Sequence, residues 1–201
     1  DWVVIDEAGR AAPSELAVAM QTGHRILLVG DHKQLPPTFS EEVRDIIKSR
    51  FSVGDESPAF GSDFERIYES AYGKTVGASL LKQYRMAPDI GKLVSDCFYD
   101  GRLETGRAAP SAYYDKLPDH MRQQVTWVDT SPLGPSGFEQ STKAGDQRWN
   151  DTEARVVMRL LRQIIECDDF MEEVRSELQP SEPAIGIICM YSRQRDVLNR
   201  M

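Results

Sequence analysis

Apolar residues in this chain come in short runs separated by amphipathic stretches, and that alternation sets the expected architecture. Trp2-Val3-Val4-Ile5 is an apolar, β-branched run that predicts a buried strand. Behind it Pro13 opens a helix with Leu16, Ala17 and Met20 on its apolar side, and Gly23 stands where the helix should stop. Ile26-Leu27-Leu28-Val29 predicts a second buried strand. Strand, helix, strand at this spacing is a βαβ unit. Its two strands run parallel and deliver their following loops to the same sheet edge.

The pattern continues in kind. Glu41 to Arg50 predicts an amphipathic helix with Val43, Ile46 and Ile47 on one side, and residues 51–62 read as a loop rich in Ser, Gly, Asp and Pro. A short helix is expected over Asp63–Tyr72, a strand over Val76–Leu81, and a helix from Pro88 carrying Ile90, Leu93, Val94 and Cys97, then a turn at Asp100-Gly101. Residues 102–124 are irregular and polar, Val125–Val128 predicts a short strand, and 129–148 reads as a mobile loop prone to disorder. Asn150-x-x-Glu153 is a capping box before a helix with Ala154, Val157, Leu160, Leu161, Ile164 and Ile165 at helical spacing. A helix over Asp169–Leu178, a final buried strand over Ala184–Met190 and a helix capped by Ser192 complete the series. The expected fold is therefore α/β with mainly parallel pairing, and two sheets are represented, each in part.

With 201 residues and 40% hydrophobic content, the chain can build one large domain or two small ones. Charged residues make up 28% and no apolar run reaches the length of a membrane span, so no membrane association is expected. Cys97, Cys167 and Cys189 are scattered, as are His24, His32 and His120, which argues against a zinc site and for a reducing, intracellular compartment, nuclear or cytoplasmic. The 24 Lys and Arg stand against 32 Asp and Glu, a net charge of -8. That argues against a broad basic face for duplex nucleic acid but leaves room for a narrow single-strand track. Asp1 stands at the start of a core strand and Met201 ends an unfinished helix, so the chain reads as a piece of something longer.

Candidate chemistry gathers where the first strand ends, at Asp6-Glu7. Ligands of open parallel sheets bind outside the carboxyl ends of the strands. One carboxylate there can hold Mg²⁺, and its neighbour can orient or deprotonate a water that attacks a nucleotide γ-phosphate. The plainer reading is a solvated acidic turn. The second strand places Gln34 near this pair. Gly73-Lys74-Thr75 is no phosphate loop, because the pattern's first glycine falls on Tyr68 and a helix, not a strand, precedes it.

Asp6-Glu7-Ala8, Gly30-Asp31-His32-Lys33-Gln34-Leu35-Pro36-Pro37, Gln83-Tyr84-Arg85-Met86 and Tyr191-x-x-Gln194-Arg195, in this order, resemble the motifs of superfamily 1B helicases. The likeness is to the up-frameshift and senataxin group and covers nearly the whole chain. It implies RecA-like P-loop NTPase sheets with flanking helices, residues 1–75 being the later part of a first RecA-like domain and 76–201 the earlier part of a second. ATP and Mg²⁺ are the implied cofactors, and single-stranded RNA or DNA the implied partner of a monomeric motor. Asp6 would hold the metal, Glu7 polarise the attacking water, and Gln34 contact that water or the γ-phosphate. Arg85 would act in cis as an arginine finger. Tyr84 would lie near the nucleotide base, or else belong to the core. His32 and Lys33 read as loop residues facing solvent, and Gln194 as either a nucleic-acid contact or a local cap.

Two departures stand out. Arg10 occupies a position where the family usually has Gln, and Cys189-Met190 stands where it often has Thr-Pro. The resemblance also puts a phosphate loop before Asp1 and a further arginine motif after Met201. The 201 residues alone are therefore expected to lack appreciable ATPase or unwinding activity, and a helicase-like scaffold that binds RNA or protein without productive hydrolysis is the alternative.

Overall fold

The computed structural model describes residues 1–109 and 112–201. The chain divides into two compact units, Asp1–Leu81 with Asp96–Arg102, and Lys82–Ser95 with Leu103–Met201.

The first unit is built on β1 (Trp2–Ile5) and β2 (Arg25–Leu28), joined by α1 (Pro13–Met20). The strands pair in parallel, Trp2 opposite Arg25 and Ile5 opposite Leu28, as the βαβ spacing predicts. Pairing continues past both strand ends: Val29 donates its backbone N–H to Ile5 O at 2.8 Å and Ala8 to Val29 O at 2.9 Å. Pro13 sits in the first turn of α1, and Glu15 reaches back to accept from the Ala12 N–H at 2.8 Å. Leu16 then packs with Ala8 and Phe64, and with Ile5, Met20 and Leu28 around them. Both strands were expected to be buried on two faces. Instead the strands alternate, with Trp2, Val4 and Leu27 exposed, because among the described residues the cluster around Leu16 covers one face only.

α2 (Glu41–Phe51) is capped by Ser40 and ends in the left-handed Ser52. The helix expected over 63–72 is two, α3 (Asp63–Glu69) and α4 (Ala71–Val76). Ser70 lies between them in extended backbone, and its Oγ accepts from the Gly73 N–H at 2.9 Å. A serine that can start a second helix interrupts the first.

In the second unit, β3 (Lys82–Gln83) pairs in parallel with β4 (Glu104–Thr105), and α5 (Pro88–Phe98) begins there between them in sequence. The turn at Asp100-Gly101 forms as expected, both residues with positive φ. The irregular stretch 102–124 includes Pro110 and Ser111, which lie outside the described residues. The 129–148 segment, expected to be a mobile loop, holds a 3-10 stretch over Ser131–Gly137 and an antiparallel hairpin of β5 (Gln140–Ser141) and β6 (Arg148–Trp149). α6 (Asp151–Ile165), α7 (Asp168–Glu177) and α8 (Ser192–Leu198) follow. The core of this unit joins Leu117, Phe170 and Met171, with Tyr114, Ile164, Val174 and Ile185 around them.

Three expected strands do not form. Val76 belongs to α4 and residues 77–81 make no ladder, nor do 125–128 or 184–190. Leu80, Trp127, Ile188 and Met190 are each more than nine-tenths exposed. A strand needs a neighbouring backbone for its N–H and C=O groups. Among the described residues none is in register with these segments, so their apolar composition yields extended chain without a sheet.

Candidate functional site

Two loops of the first unit leave the same edge of the β1–β2 pair. After Ile5 the chain turns at once: Glu7 has φ 55, and Asp6 Oδ1 accepts from the Glu7 N–H at 2.9 Å. The left-handed region is costly for a residue with a long side chain, and here the turn holds it, with Arg10 N–H donating to Glu7 O at 3.0 Å. Both carboxylates are exposed, and neither the Glu7 carboxylate nor the second oxygen of Asp6 has a hydrogen-bond partner among the described residues. Arg10 is exposed as well.

The second loop lies directly against the first. A Cβ on Gly9 would come within 2.7 Å of Asp31 O, and one on Gly30 within 2.7 Å of Gly9 N. Only glycine permits backbones to approach so closely, so these two residues bring the Asp6-Glu7 turn and the Asp31–Gln34 turn together. Ser62 fixes the arrangement from α3: its buried Oγ donates to Gly9 O at 3.1 Å and accepts from the Glu65 N–H at 3.3 Å.

Asp31 organises the second turn. Its Oδ1 accepts from the Lys33 N–H at 3.0 Å, and its Oδ2 from Gln34 Nε2 at 3.0 Å and from the Tyr99 hydroxyl at 2.5 Å. Burial pushes the Asp31 carboxyl up, but the bonds from Tyr99, Lys33 and Gln34, with the His32 charge, outweigh it and hold the group below the usual carboxylate range. Burial and the Asp31 bond push the Tyr99 phenol up to about 12. The rest of Gln34 stays exposed. Lys33 is exposed as expected, whereas His32 is not a bare solvent-facing residue: its ring packs on Tyr68 at 4.8 Å.

In the second unit, Gln83 builds the turn that carries Tyr84 and Arg85. Its Oε1 accepts from the Met86 N–H at 2.7 Å, and its Nε2 donates to Met86 O at 3.1 Å and Thr105 Oγ1 at 2.8 Å. A Cβ on Gly91 would fall 2.3 Å from that same Thr105 oxygen, so α5 must present glycine here. Arg85 is exposed, its carbonyl accepts from Arg107 Nη1, and its guanidinium has no partner among the described residues. Tyr84 is 65% exposed, which removes the core reading. Its ring lies against Gly106, where a Cβ would meet Cε1 at 2.4 Å, and Lys82 Nζ stands 5.7 Å from the ring centre.

Gln194 is a local cap. Asn150 caps α6 by accepting from the Thr152 and Glu153 N–H groups, each at 3.0 Å. The expected reciprocal bond from Glu153 is replaced: Gln194 Oε1 accepts from the Asn150 N–H at 2.7 Å, while Nε2 donates to Asn150 O at 3.2 Å. The N-cap of α8 is Tyr191, and Ser192, expected to cap it, is its first helical residue. Arg148 lies over the Tyr191 ring and Arg193 over Trp149, tying α8 to β6.

Gly9, Asp31, Ser62, Gln83 and Tyr99 carry parts in this arrangement that the sequence pattern did not assign. Gly9, Asp31 and Gln83 stand inside or beside the motifs and were legible in principle. Ser62 and Tyr99 are distant in sequence, and only the fold brings them to the site.

An AAA domain profile matches residues 61–201, and a second AAA domain profile matches 1–42. The chain belongs to the superfamily 1B, UPF1-like helicases. Over 98% of its length it is 29% identical to the regulator of nonsense transcripts 1 of Caenorhabditis elegans. It is 27% identical to the ATP-dependent helicase upf1 of Schizosaccharomyces pombe and 26% to the probable helicase senataxin of Mus musculus, again over 98% of the chain. It spans 16%, 18% and 7% of the lengths of these three relatives. The fold is thus that of α/β P-loop NTPases, and the relatives include ATP-dependent helicases. No helix among the described residues is long and apolar enough to cross a membrane.

Proposed function

We propose that this chain is the central part of an ATP-dependent motor that moves on single-stranded RNA or DNA. Residues 1–75 would contribute to a first RecA-like domain and 76–201 to a second. The observation that supports the proposal is the close approach at Gly9 and Gly30 of two turns that leave the carboxyl edge of two parallel strands, one carrying an exposed acidic pair and the other an exposed glutamine.

ATP and Mg²⁺ are the cofactors this site suits. Mg²⁺ keeps several waters and takes one or two carboxylates together with phosphate oxygens. A single exposed Asp6 fits that demand. Asp6 would hold the ion, which would supply charge neutralisation at the phosphates. Glu7 orients the attacking water and draws its proton, Gln34 contacts the water or the γ-phosphate, and Arg85 meets the charge that builds up on the phosphoryl oxygens. An exposed guanidinium with its planar donors suits that task. The exposed Tyr84 ring offers a stacking face for the base. A motor of this kind would act as a monomer inside the cell, in nucleus or cytoplasm. The 201 residues alone, without a phosphate loop, would turn over little ATP.

The test is phosphate release by the full-length natural protein, with and without single-stranded RNA or DNA, repeated with Glu7→Gln. Stimulated turnover that falls by about 10²-fold or more in the variant is expected. Equal turnover in the two proteins would remove Glu7 from the mechanism, and no turnover in either would make the chain a binding scaffold.

A further inference from the structure

We infer that Asp31 and Tyr99 are positioning residues for Gln34, fixing which atom of its amide faces the nucleotide site. The inference rests on the ATPase reading above. The Gln34 side chain is exposed, and an unrestrained glutamine would sample several rotamers and either amide orientation. Asp31 removes the second freedom. An ionised carboxylate can only accept, so the group that meets Oδ2 at 3.0 Å must be the amide nitrogen. Gln34 Oε1 is thereby turned away from Asp31 and left to accept from a water, with one amide hydrogen remaining for a phosphate oxygen.

The clamp works only if the carboxylate is itself held. Two donors do this from opposite origins: the Lys33 N–H within the same turn, and the Tyr99 hydroxyl, sixty-eight residues along the chain. Tyr99 is half-buried and follows the last turn of α5, in the segment Asp96–Arg102 that clusters with the first unit. Among the described residues, the donors recorded on the Asp31 carboxylate are the Lys33 N–H, the Gln34 amide and the Tyr99 hydroxyl, and these neutral groups hold it in place. Removing the Tyr99 hydroxyl would let the carboxylate turn, and the amide would lose its orientation while remaining present.

A double-mutant cycle in the full-length natural protein tests this, with ATP and a single-stranded oligonucleotide, reading kcat, the KM for ATP and the melting temperature. Tyr99→Phe keeps the ring and deletes one oxygen. It should lower kcat about tenfold with KM unchanged, the signature of an interaction made in the transition state. Placed on Gln34→Ala, the same change should lower kcat no further, since the residue it positions is gone. Asp31→Asn, which puts a donor against the Gln34 amide or the Tyr99 hydroxyl, should behave likewise and serves if Tyr99→Phe folds poorly. A merely structural hydroxyl would cost the same in both backgrounds. Full additivity, or an unchanged kcat in Tyr99→Phe and Asp31→Asn, overturns the inference while Glu7→Gln still silences the enzyme. Equal turnover by wild type and Glu7→Gln instead defeats the ATPase reading, and this inference falls with it.

Discussion

Replacing Gln194 by alanine should destabilise the fold and leave ligand binding alone. Asn150 is 5% exposed, and its backbone N–H has Gln194 Oε1 as its partner at 2.7 Å. Truncation strands that donor in a site too tight for free hydration, which costs about 1–3 kcal/mol. The second bond, from Nε2 to Asn150 O at 3.2 Å, is worth less, because that oxygen also accepts from the Ala154 N–H at 3.0 Å. Losing it adds about 0.5–1 kcal/mol. A total of about 2.5 kcal/mol corresponds to a fall in melting temperature of about 5–10 °C for a chain of this size. Gln194→Glu separates the two bonds. It keeps an acceptor for Asn150 N–H and puts a negative charge at the start of α6, which the helix dipole favours, but its second oxygen opposes Asn150 O. It should therefore fall between wild type and Gln194→Ala. Far-UV circular dichroism melts with matched urea titrations measure the effect. An unchanged melt, combined with weaker binding of single-stranded RNA or DNA, would refute the reasoning and return Gln194 to the role of a nucleic-acid contact.

Two further outcomes follow from bonds already described. Gln83→Ala gives up three hydrogen bonds at 2.7, 2.8 and 3.1 Å, a loss of about 2–3 kcal/mol concentrated in the turn 83–86. Hydrogen exchange at the Met86 amide should quicken well beyond that of α6, and unaltered exchange there would show that the turn is held by other means. The Tyr99 phenol, raised from 10.0 to about 12, stabilises the fold fully below pH 10, and that contribution disappears as pH rises towards 12. Urea stability of Tyr99→Phe should lack this alkaline decline, and identical pH profiles in the two proteins would contradict it.

Much of the first unit could be read directly, because its elements depend on local signals. The βαβ spacing, Pro13 at the head of α1 and the apolar spacing of Leu16 and Met20 determine how β1 and β2 pair, and the pairing then carries Asp6, Glu7 and Gln34 to one edge. Helices α5 to α7 were legible for the same reason, since their ladders close within the segment. Strands were harder. Residues 125–128 and 184–190 have strand composition, yet a ladder requires a partner that sequence pattern does not specify. Capping residues gave mixed results for a related reason. Asn150 could be read from its spacing to Glu153, but the donor-acceptor pair that Glu153 should have completed went to Gln194, forty-four residues away. The clamp on Gln34 was hidden in the same manner, because Asp31 is adjacent in sequence and Tyr99 is not.

The left-handed backbone at Glu7 bears on how this position can vary. Glycine would adopt φ 55 without steric penalty, and asparagine or aspartate nearly so, whereas valine, isoleucine or threonine would be strongly disfavoured. Selection for an undemanding fold therefore pulls residue 7 away from the carboxylate that the proposed chemistry needs there. A lineage freed from ATP turnover should lose this glutamate early, and its drift to a small or amide side chain would mark the point at which a motor became a passive binder.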